Sequence, residues 1–267
     1  MLRQISSVNN SKIKLVRKLL TSKGRSRESR FTAEGVNLVT EIIEGGFDID
    51  FLVVSERFRS AEGERAGAIR TYIERADTFA LEVSEEIFDG LRDAENGIDV
   101  LAVVKSRRLS TDYIDSLPED GCILVCDRIQ DPGNMGTMIR TAVAAGYGAV
   151  VVLPGTVDIY SPKVLRATAG MVFEIPIIHA EGEADIKAMA ERTGRRIAVS
   201  VPSGGREYFK EDLSRGVVLV IGNEGGGISK EIEDIADIRV TLPMKGNTES
   251  LNAAVAAAIL MYEAVRS

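Results

Sequence analysis

The chain has 267 residues, of which 45% are apolar and 27% charged, a composition that suits one large or two medium globular domains. A single histidine, His179, and two cysteines leave almost no material for a zinc site or a Ser-His-Asp triad, so we expect neither. The N-terminus is polar and basic and no apolar run reaches the length of a membrane span, so we predict a cytoplasmic protein without a membrane partner.

Charge is distributed unevenly along the chain. Residues 1–30 carry nine Lys or Arg and one acid, Glu28, so this segment is +8 although the whole chain is −7. A basic arm on an acidic body is typical of a local phosphate-binding surface. A solvated helix face that merely keeps the protein soluble fits the charges equally well.

Helices and strands alternate in the predicted elements of residues 1–107, which favours a mainly parallel sheet covered by helices. Ile13, Val16 and Leu19 fall on one face of the first helix, and basic residues cover the other. The predicted elements are a helix at Ser11–Thr21, an arginine-bearing loop at Ser22–Ser29, strands at Arg30–Ala33, Phe51–Ser55, Phe79–Val83 and Val100–Lys105, and helices at Val36–Glu44, Ala61–Glu74 and Glu85–Arg92.

The polar stretch from Ser106 to Gly121 contains Pro118 and is predicted to link two domains. We therefore place an N-terminal domain at residues 1–107, a linker at 108–120 and a second domain at 121–267. The second domain is predicted to have strands at Cys122–Asp127, Ala149–Leu153, Ile175–Ile178, Arg196–Val201, Val217–Gly222 and Ile238–Leu242, and helices at Met135–Ala145, Ser161–Ala169, Ala184–Arg192, Lys230–Asp234 and Leu251–Val265.

The last predicted helix is apolar on every side between Ala253 and Met261. A helix of this kind must be buried on all sides. At the end of a chain a partner subunit would provide that burial, so we predict a homodimer with this helix in the interface.

A glycine-rich loop, Gly222–Gly227, follows the apolar strand Val217–Ile221. Glycines allow a sharp turn and let a ligand approach the backbone closely. The loop is not a P-loop, since no Lys-Ser/Thr follows it, and it is not the GxGxxG dinucleotide fingerprint. Glu224 at its tip is either a functional carboxylate or a solvent-facing turn acid.

The loop Pro243–Glu249 joins a strand to the last helix. Thr248 or Ser250 is suited to cap this helix, and Asn252 is expected in its first turn. Ser250 and Asn252 therefore have a structural interpretation, helix capping, and a functional one, because a helix N-terminus offers free N–H groups to a polar ligand.

Asn134 and Arg140 flank the first turns of a helix that follows Asp131-Pro-Gly. Arg140 lies among apolar residues, and we expect it to point inward, where an unpaired guanidinium is costly. It then needs an acid, Asp127 or Asp131, in a structural salt bridge, or the phosphate of a ligand.

These polar segments together resemble the motifs of the SpoU (TrmH-like) family of the SPOUT superfamily, the S-adenosylmethionine-dependent RNA ribose 2′-O-methyltransferases. The motifs are Asn134 to Arg140, Val220 to Gly225, and Leu242-Pro-Met244 with Ser250-Leu-Asn252. Their order and separation make the signal specific, whereas any one loop would be weak. Ser161–Gly170 also resembles the family, with Thr168 where serine is more usual.

The first domain is similar to the ribosomal-protein-like substrate domain of members that act on ribosomal RNA. The similarity rests on Ile5-Ser-Ser7, Asn10, Lys14, Arg27 and Phe31–Gly35. It implies RNA as the partner, and the cations that we assign to RNA binding are Lys14, Lys18, Arg25, Arg27, Lys163 and Arg166.

The resemblance implies an α/β SPOUT-type fold, with a knotted, mainly parallel sheet, helices on both faces, and a smaller N-terminal α/β substrate-binding domain. Backbone and side chains of Ile221, Gly222, Leu242, Met244 and Leu251 would hold S-adenosylmethionine. Arg140 would act on the ribose 2′-hydroxyl, and the residues that orient the hydroxyl and the RNA would be Asn134, Glu224, Ser250 and Asn252. Sites in this family are shared across a dimer.

Arginine is a poor general base, because guanidinium pKa values lie far above neutrality. We therefore expect Arg140 to stabilise the developing alkoxide electrostatically. The function that the residues and the resemblance favour is 2′-O-methylation of ribosomal RNA of the large subunit. The alternatives are a non-catalytic RNA-binding or ribosome-assembly factor, a tRNA 2′-O-methyltransferase, and an α/β enzyme for a small phosphorylated metabolite.

Overall fold

The computed structural model describes residues 2–75, 79–92, 99–245 and 250–266. The chain forms two compact units, and neither is continuous in sequence. The first unit contains Met1–Arg107 and Asp158–Phe173, and the second contains Arg108–Val157 and Glu174–Ser267. The chain therefore leaves the second unit after Val157 and returns to it at Glu174.

The first unit is built on a five-stranded sheet in the order β1-β4-β3-β5-β2. Its strands are β1 (Leu2–Ile5), β2 (Arg30–Glu34), β3 (Ile49–Ser55), β4 (Ala80–Val83) and β5 (Val100–Lys105), and its helices include α1 (Ser11–Leu19), α2 (Ser22–Glu28), α3 (Val36–Glu44), α4 (Glu64–Arg75) and α5 (Glu85–Asp89). The prediction of a mainly parallel sheet is wrong for this unit, because β5 runs antiparallel to both of its neighbours, β3 and β2. The edge strand β1 was not predicted; it is short and largely exposed.

Within the segment Ser22–Ser29, predicted to be a loop, residues Ser22–Glu28 form the helix α2 instead. The Thr21 side chain caps its start by accepting from the Gly24 N–H, and Ser29 ends it in the left-handed conformation. No apolar period marks this segment, so caps at its two ends and the tertiary contacts of Arg25 specify the helix rather than a hydrophobic stripe.

The crossover Asp158–Phe173 contributes to the core of the first unit. Phe31 of β2 is fully buried, and its ring stacks on that of Tyr160 with the ring centroids 4.3 Å apart. The ring of Phe173 packs against those of Phe31 and Phe47. Aromatic packing of this kind is worth more than the buried area alone, so the crossover is an integral part of the N-terminal fold.

The second unit is built on a seven-stranded sheet in the order β10-β12-β9-β11-β6-β7-β8, in which every pair is parallel. Its strands are β6 (Ile123–Asp127), β7 (Ala149–Val152), β8 (Ile177–His179), β9 (Arg196–Ser200), β10 (Arg206–Glu207), β11 (Val217–Gly222) and β12 (Ile238–Thr241). The helices that follow α5 in the chain are α6 (Pro132–Ala144), α7 (Pro162–Thr168, in the crossover), α8 (Glu183–Thr193), α9 (Lys230–Asp234) and α10 (Ala253–Met261).

Both faces of the central strands are covered. Val125 and Val218 face a core to which α8 and α9 contribute, while Leu124 and Leu219, which alternate with them, are equally buried on the other face. Such two-sided burial explains the continuous apolar runs of these strands. The prediction of a parallel sheet with helices on both faces is confirmed for this unit.

The segment predicted to be a linker packs onto this second sheet. Thr111–Ser116 forms a short 3₁₀ helix, and its Ile114 is fully buried in the same core as α8. Leu109 pairs with Ile178 at the edge of the sheet. The apolar residues of this stretch recur at a spacing of three to five positions, which indicates a segment that packs against the core. The polar composition of the stretch as a whole indicated a linker instead.

The last helix, α10, is covered on one side within the single chain. Ala254, Ala257 and Leu260 are buried against α6 and β11, whereas Val255 and Tyr262 are about half exposed. One side of the helix is therefore open in a single copy of the chain, and its burial by a partner subunit stays a prediction. None of the helices in the described ranges is both long and apolar enough to span a membrane.

Candidate functional site

A cleft of about 310 Å³ lies at the carboxyl ends of β9, β11 and β12, next to the start of α10. This is the edge at which parallel α/β sheets bind ligands. The described residues that line it are Ser200, Val201, Pro202, Ile221, Gly222, Asn223, Glu224, Gly225, Gly227, Leu242, Met244, Ser250, Leu251, Ala253 and Ala256.

All five residues predicted to hold a cofactor line this single cleft: Ile221, Gly222, Leu242, Met244 and Leu251. Glu224 and Ser250, predicted as catalytic, line it as well. The wall formed by Ser200–Pro202 was not predicted, although its position at the carboxyl end of a parallel strand was a usable signal.

The chemistry of the lining favours some ligands over others. Glu224 is the one charged side chain among the described residues of the cleft wall. The rest offers apolar side chains, backbone groups and the neutral polar side chains of Ser200, Asn223 and Ser250. A phosphorylated ligand would lack a cation to bind. A cationic ligand with a flat apolar part, such as S-adenosylmethionine with its sulfonium, ammonium and adenine groups, fits this lining.

Asn223 gives the glycine-rich loop its shape. Its backbone exchanges two hydrogen bonds with Gly227, at 3.0 and 2.9 Å, and its side-chain oxygen accepts from the N–H groups of Gly225 and Gly226 at 2.9 and 2.7 Å. Gly222 has no room for a side chain, since a Cβ would lie 2.3 Å from the carbonyl carbon of Gly227. The loop is therefore a closed turn that presents Glu224 at its tip.

A chain of hydrogen bonds joins the three predicted motifs. The Asn252 Nδ2 atom donates to Asn134 Oδ1 at 2.9 Å, and Asn134 Nδ2 donates to Glu224 Oε1 at 2.9 Å. Glu224 also accepts from the backbone N–H groups of Gln130 and Asp131, each at 3.2 Å. Glu224 is thus a bonded member of the site and not a free turn acid.

The direction of this chain follows from its two ends. Asn252 is the N-cap of α10, where its Oδ1 accepts from the N–H groups of Ala254 and Val255. Its amide nitrogen must then point to Asn134, which leaves the Asn134 nitrogen to donate to the carboxylate. The prediction that Ser250 or Thr248 caps the helix is wrong for Ser250, and Thr248 lies outside the described residues.

The surroundings of Glu224 favour its ionised form. Burial is the largest single influence and raises its pKa, but the hydrogen bonds from Asn134 and from backbone N–H groups together outweigh burial, so the pKa of Glu224 lies below its usual value. At neutral pH the tip of the loop therefore carries a negative charge.

Arg140 does not point inward as predicted. Its side chain is exposed on α6, and neither acid that was considered as a partner pairs with it. Asp127 pairs with Arg128, and Asp131 caps α6 by accepting from the Asn134 N–H at 2.7 Å. In the described parts of the chain Arg140 has no ion-pair partner, so its charge is available to a ligand or a second subunit.

The cations assigned to RNA binding separate into two groups. Lys14, Lys18, Arg27, Lys163 and Arg166 are exposed, and all lie in the first unit. Arg25 is only 7% exposed and is committed to a structural role, with its Nε 2.6 Å from Asp158 Oδ2 and its NH1 2.8 Å from the Leu19 carbonyl oxygen. The assignment of Arg25 to RNA binding is wrong, because its guanidinium is buried and already paired.

Two family models match the chain in the order of its motifs. Residues 10–102 match an MRM3-like substrate binding domain, and residues 121–262 match the SpoU rRNA methylase family. The chain belongs to the SpoU rRNA methylase family. The resemblance seen in the three motifs is thereby confirmed.

Relatives of this SpoU family member resemble it along nearly their whole length. The 23S rRNA (guanosine(2553)-2'-O)-methyltransferase RlmP of Bacillus subtilis is 32% identical, over 98% of this chain and 98% of the relative. A 23S rRNA (uridine(2479)-2'-O)-methyltransferase of Streptomyces viridochromogenes is 30% identical, over 91% of this chain and 84% of the relative.

Solved structures of similar proteins share this fold. The AdoMet-bound rRNA methyltransferase from Sinorhizobium meliloti superposes with a TM-score of 0.86 at 31% identity, covering 99% of this chain and 98% of that one. The SpoU methyltransferase AviRb from Streptomyces viridochromogenes, in complex with AdoMet, gives 0.87 at 28% identity, covering 97% and 98%. These likenesses confirm the predicted α/β methyltransferase fold with an N-terminal domain. Among the described residues, no group of three or more His, Cys, Asp or Glu is placed to hold a metal ion.

The lowered pKa of Glu224 predicts a pH-dependent contribution to stability. Because the folded state stabilises the ionised form of Glu224, this carboxylate adds to the free energy of unfolding above its unfolded pKa of about 4.3. The added stability is lost as the pH falls through the lower pKa that Glu224 has in the folded state. We expect the difference in free energy of unfolding between the wild type and Glu224→Gln to shrink from pH 7 to pH 3. Glu231→Gln, at an exposed glutamate on α9, is the control in urea titrations, and equal trends in the two variants would contradict the assignment.

Proposed function

We propose that the protein transfers the methyl group of S-adenosylmethionine to a ribose 2′-hydroxyl of 23S ribosomal RNA. The observation that carries the proposal is the hydrogen-bonded chain from Glu224 through Asn134 to Asn252, which brings the three family motifs together beside one cleft. The two relatives named above, which match 98% and 91% of this chain, are 23S rRNA 2′-O-methyltransferases by name, and two similar structures contain AdoMet.

The donor would occupy the cleft at the carboxyl edge of the second sheet. Leu242, Leu251 and Ile221 provide apolar surface for a flat base, and the bend around Gly222 leaves backbone groups accessible. When bound, the sulfonium centre supplies an activated methyl group, so the protein needs neither a covalent intermediate nor a metal for activation. The contribution of the chain is to align the two reactants.

The acceptor side of the site would use Arg140 and the start of α10. Asn252 is fixed by its cap and by Asn134, while Ser250 beside it is exposed and lines the cleft. Arg140 carries a charge that is unpaired in the described part of the chain, so it can stabilise negative charge on a ribose oxygen or bind the adjacent phosphate. A guanidinium does not accept a proton near neutral pH, so the hydroxyl proton leaves to phosphate or water.

The alternatives are less well supported. A small phosphorylated metabolite would meet no cation in the described wall of the cleft. A non-catalytic RNA-binding or assembly factor would not need five polar motif residues, of which three form one ordered chain. A tRNA substrate fits the catalytic unit equally well but gives no role to the N-terminal substrate-binding domain, residues 10–102.

Tritiated donor transfer to ribosomal RNA, mapped by alkali-resistant linkages, tests the proposal directly. We expect Arg140→Ala to lower kcat by roughly 10²–10³-fold, as for the loss of one oxyanion donor, with donor affinity unchanged. Arg140→Lys should retain part of the activity with an unaltered shape of the pH–rate profile, because the role proposed for the residue is electrostatic and not proton transfer.

The control is Thr137→Ala, an exposed substitution on the same helix. Wild-type protein that binds donor but transfers nothing to any cellular RNA would support the non-catalytic factor instead. Transfer to tRNA alone would support the tRNA enzyme.

The RNA backbone would contact the first unit. The exposed cations of α1 and α2, together with Lys163 and Arg166 on α7, belong to this one compact unit, and α1, α2 and α7 all pack against β2. Clustered exposed cations on a chain of net charge −7 are a local phosphate-binding surface. An RNA substrate in the ribosome also supports the predicted cytoplasmic location.

Arg25 and Arg27 offer a matched pair for this surface. We expect Arg27→Ala, combined with Lys14→Ala, to weaken RNA binding and to reduce the slope of log K against log salt by about 1–2, with an unchanged free energy of unfolding. Arg25→Ala should instead destabilise the protein by ~2 kcal/mol, because it removes charge-assisted hydrogen bonds. Filter binding at several salt concentrations and urea titration measure the two effects; a salt slope changed by Arg25→Ala alone would reverse the assignment.

We also propose a homodimer formed through α10, with the knotted topology implied by the family. Val255, Tyr262 and Val265 present an apolar strip that is about half exposed on α10 and the turn after it, and exposed apolar patches of this kind mark interfaces. A dimer that brings the unpaired Arg140 to the cleft of the partner subunit would also account for its exposure.

Tyr262→Asp should convert the dimer to a monomer in sedimentation equilibrium and abolish methyl transfer, because a charge at the centre of an apolar interface is costly. Tyr113→Asp, at another exposed tyrosine of the same unit, is the control and should leave the mass unchanged. A wild-type protein that is monomeric at micromolar concentration would contradict this proposal.

A further inference from the structure

Arg128 has an unusual backbone conformation at the edge of the cleft. Three described residues other than glycine have a positive φ: Ser29, Arg128 and Ala169. Ser29 and Ala169 end the helices α2 and α7, where the left-handed conformation is ordinary. Arg128, with φ of 59°, follows strand β6, so no helix end explains its conformation. Such conformations persist where surrounding contacts enforce them.

The contacts of Arg128 hold both ends of the glycine-rich loop. Its NH2 atom donates to the Gly227 carbonyl oxygen at 3.2 Å, and its own carbonyl oxygen accepts from Asn223 Nδ2 at 2.8 Å. Asn223 and Gly227 are the two residues that close the turn carrying Glu224. Arg128 therefore contacts the loop through its side chain and its backbone at once.

Asp127 anchors this arrangement in the sheet. Asp127 is 2% exposed, and its carboxylate accepts from Arg128 Nε at 3.1 Å and from the Ser229 N–H at 2.6 Å. Asp127 also lies opposite Gly222 in the register of β6 and β11. One buried carboxylate thus links the end of β6 to the segment after the glycine-rich loop.

The turn after β7 leaves space for the arginine. A Cβ on Gly155 would lie 3.1 Å from Arg128 Cγ, so the absence of a side chain at Gly155 allows the stem of Arg128 to pass. The guanidinium is oriented by packing as well as by hydrogen bonds. Arg128 itself is not one of the described residues that line the cleft.

We propose that Arg128 is a positioning residue for the donor cleft, which holds the Asn223–Gly227 turn so that Glu224 meets Asn134. The inference rests on the proposed function, because it assumes that this cleft binds S-adenosylmethionine. Without the guanidinium, the Gly227 carbonyl and the Asp127 carboxylate each lose a donor. The turn then loses its fixed position relative to α6. S-adenosylmethionine must bind to a cleft whose wall has to be ordered first, and this ordering weakens its binding.

The test measures S-adenosylmethionine binding to the full chain by calorimetry, without RNA. Arg128→Gly removes the whole side chain but permits the left-handed backbone, whereas Arg128→Ala removes the side chain beyond Cβ and keeps the unfavourable backbone. We expect both to weaken donor binding by about tenfold or more, which corresponds to ~1.4 kcal/mol. Arg128→Lys replaces the planar guanidinium with a single ammonium group, and its affinity for S-adenosylmethionine should lie between those of these two variants and that of the wild type.

Arg192→Ala is the matched control. Arg192 is 36% exposed against 40% for Arg128, pairs with a carboxylate, Asp115, and donates to the carbonyl oxygen of Thr111, yet it does not contact the loop. It should alter thermal stability without altering the dissociation constant. For Arg128, a raised dissociation constant indicates a positioning role, whereas a change in thermal stability alone indicates a merely structural one.

Each outcome bears on one claim. Wild-type affinity in Arg128→Gly, with the protein folded by circular dichroism, would overturn the inference and leave the proposed function intact. No donor binding by the wild type would overturn the proposed function. If Arg128→Gly does not fold, Arg128→Lys decides, and wild-type affinity in that variant would also overturn the inference.

Discussion

The hydrogen-bonded chain from the N-cap of α10 through Asn134 to Glu224 is the interaction on which the site depends. Its members come from three segments that lie far apart in sequence, and each is held by its own local structure before it meets the others. Asn252 is fixed because α10 needs a cap. Asn134 sits in the first turn of α6, which Asp131 caps in turn. Glu224 is fixed by the tight turn around Asn223. The helix caps and the turn form because the backbone N–H and C=O groups of these segments need hydrogen-bond partners, and the same contacts bring the site residues together.

This arrangement also decides which chemistry the protein can support. The cleft wall contributes one negative charge and little else that is ionised, while the cations lie outside it, on the first unit and at Arg140. A positively charged donor and a polyanionic acceptor would therefore be drawn to different surfaces. Such separation of charge suits a reaction in which two bound reactants meet and no residue of the protein becomes covalently modified.

Much of this could be predicted from the sequence where one physical signal dominates. Continuous apolar runs gave β5 and β11 with their exact bounds, and the helix α3 was predicted without error. The predictions failed where a distant partner decides the outcome. Arg25 looked like other basic residues of its segment, and only the fold brings Asp158 to it. Arg140 lies among apolar neighbours in sequence but faces outward on its helix, since a period of 3.6 residues places one position in such a run on the open side. The direction of β5 depends on sheet order, which local patterns do not encode.

The position of the crossover Asp158–Phe173 has a consequence for how the chain folds during its synthesis. Phe31 emerges from the ribosome well over a hundred residues before Tyr160, the aromatic residue that covers it. The N-terminal unit therefore cannot complete its interior until Arg108–Val157 of the second unit and the crossover have been synthesised, and an exposed aromatic surface must persist in the nascent chain until then. Consequently, swapping the substrate-binding part between relatives requires moving two separate stretches of the gene together.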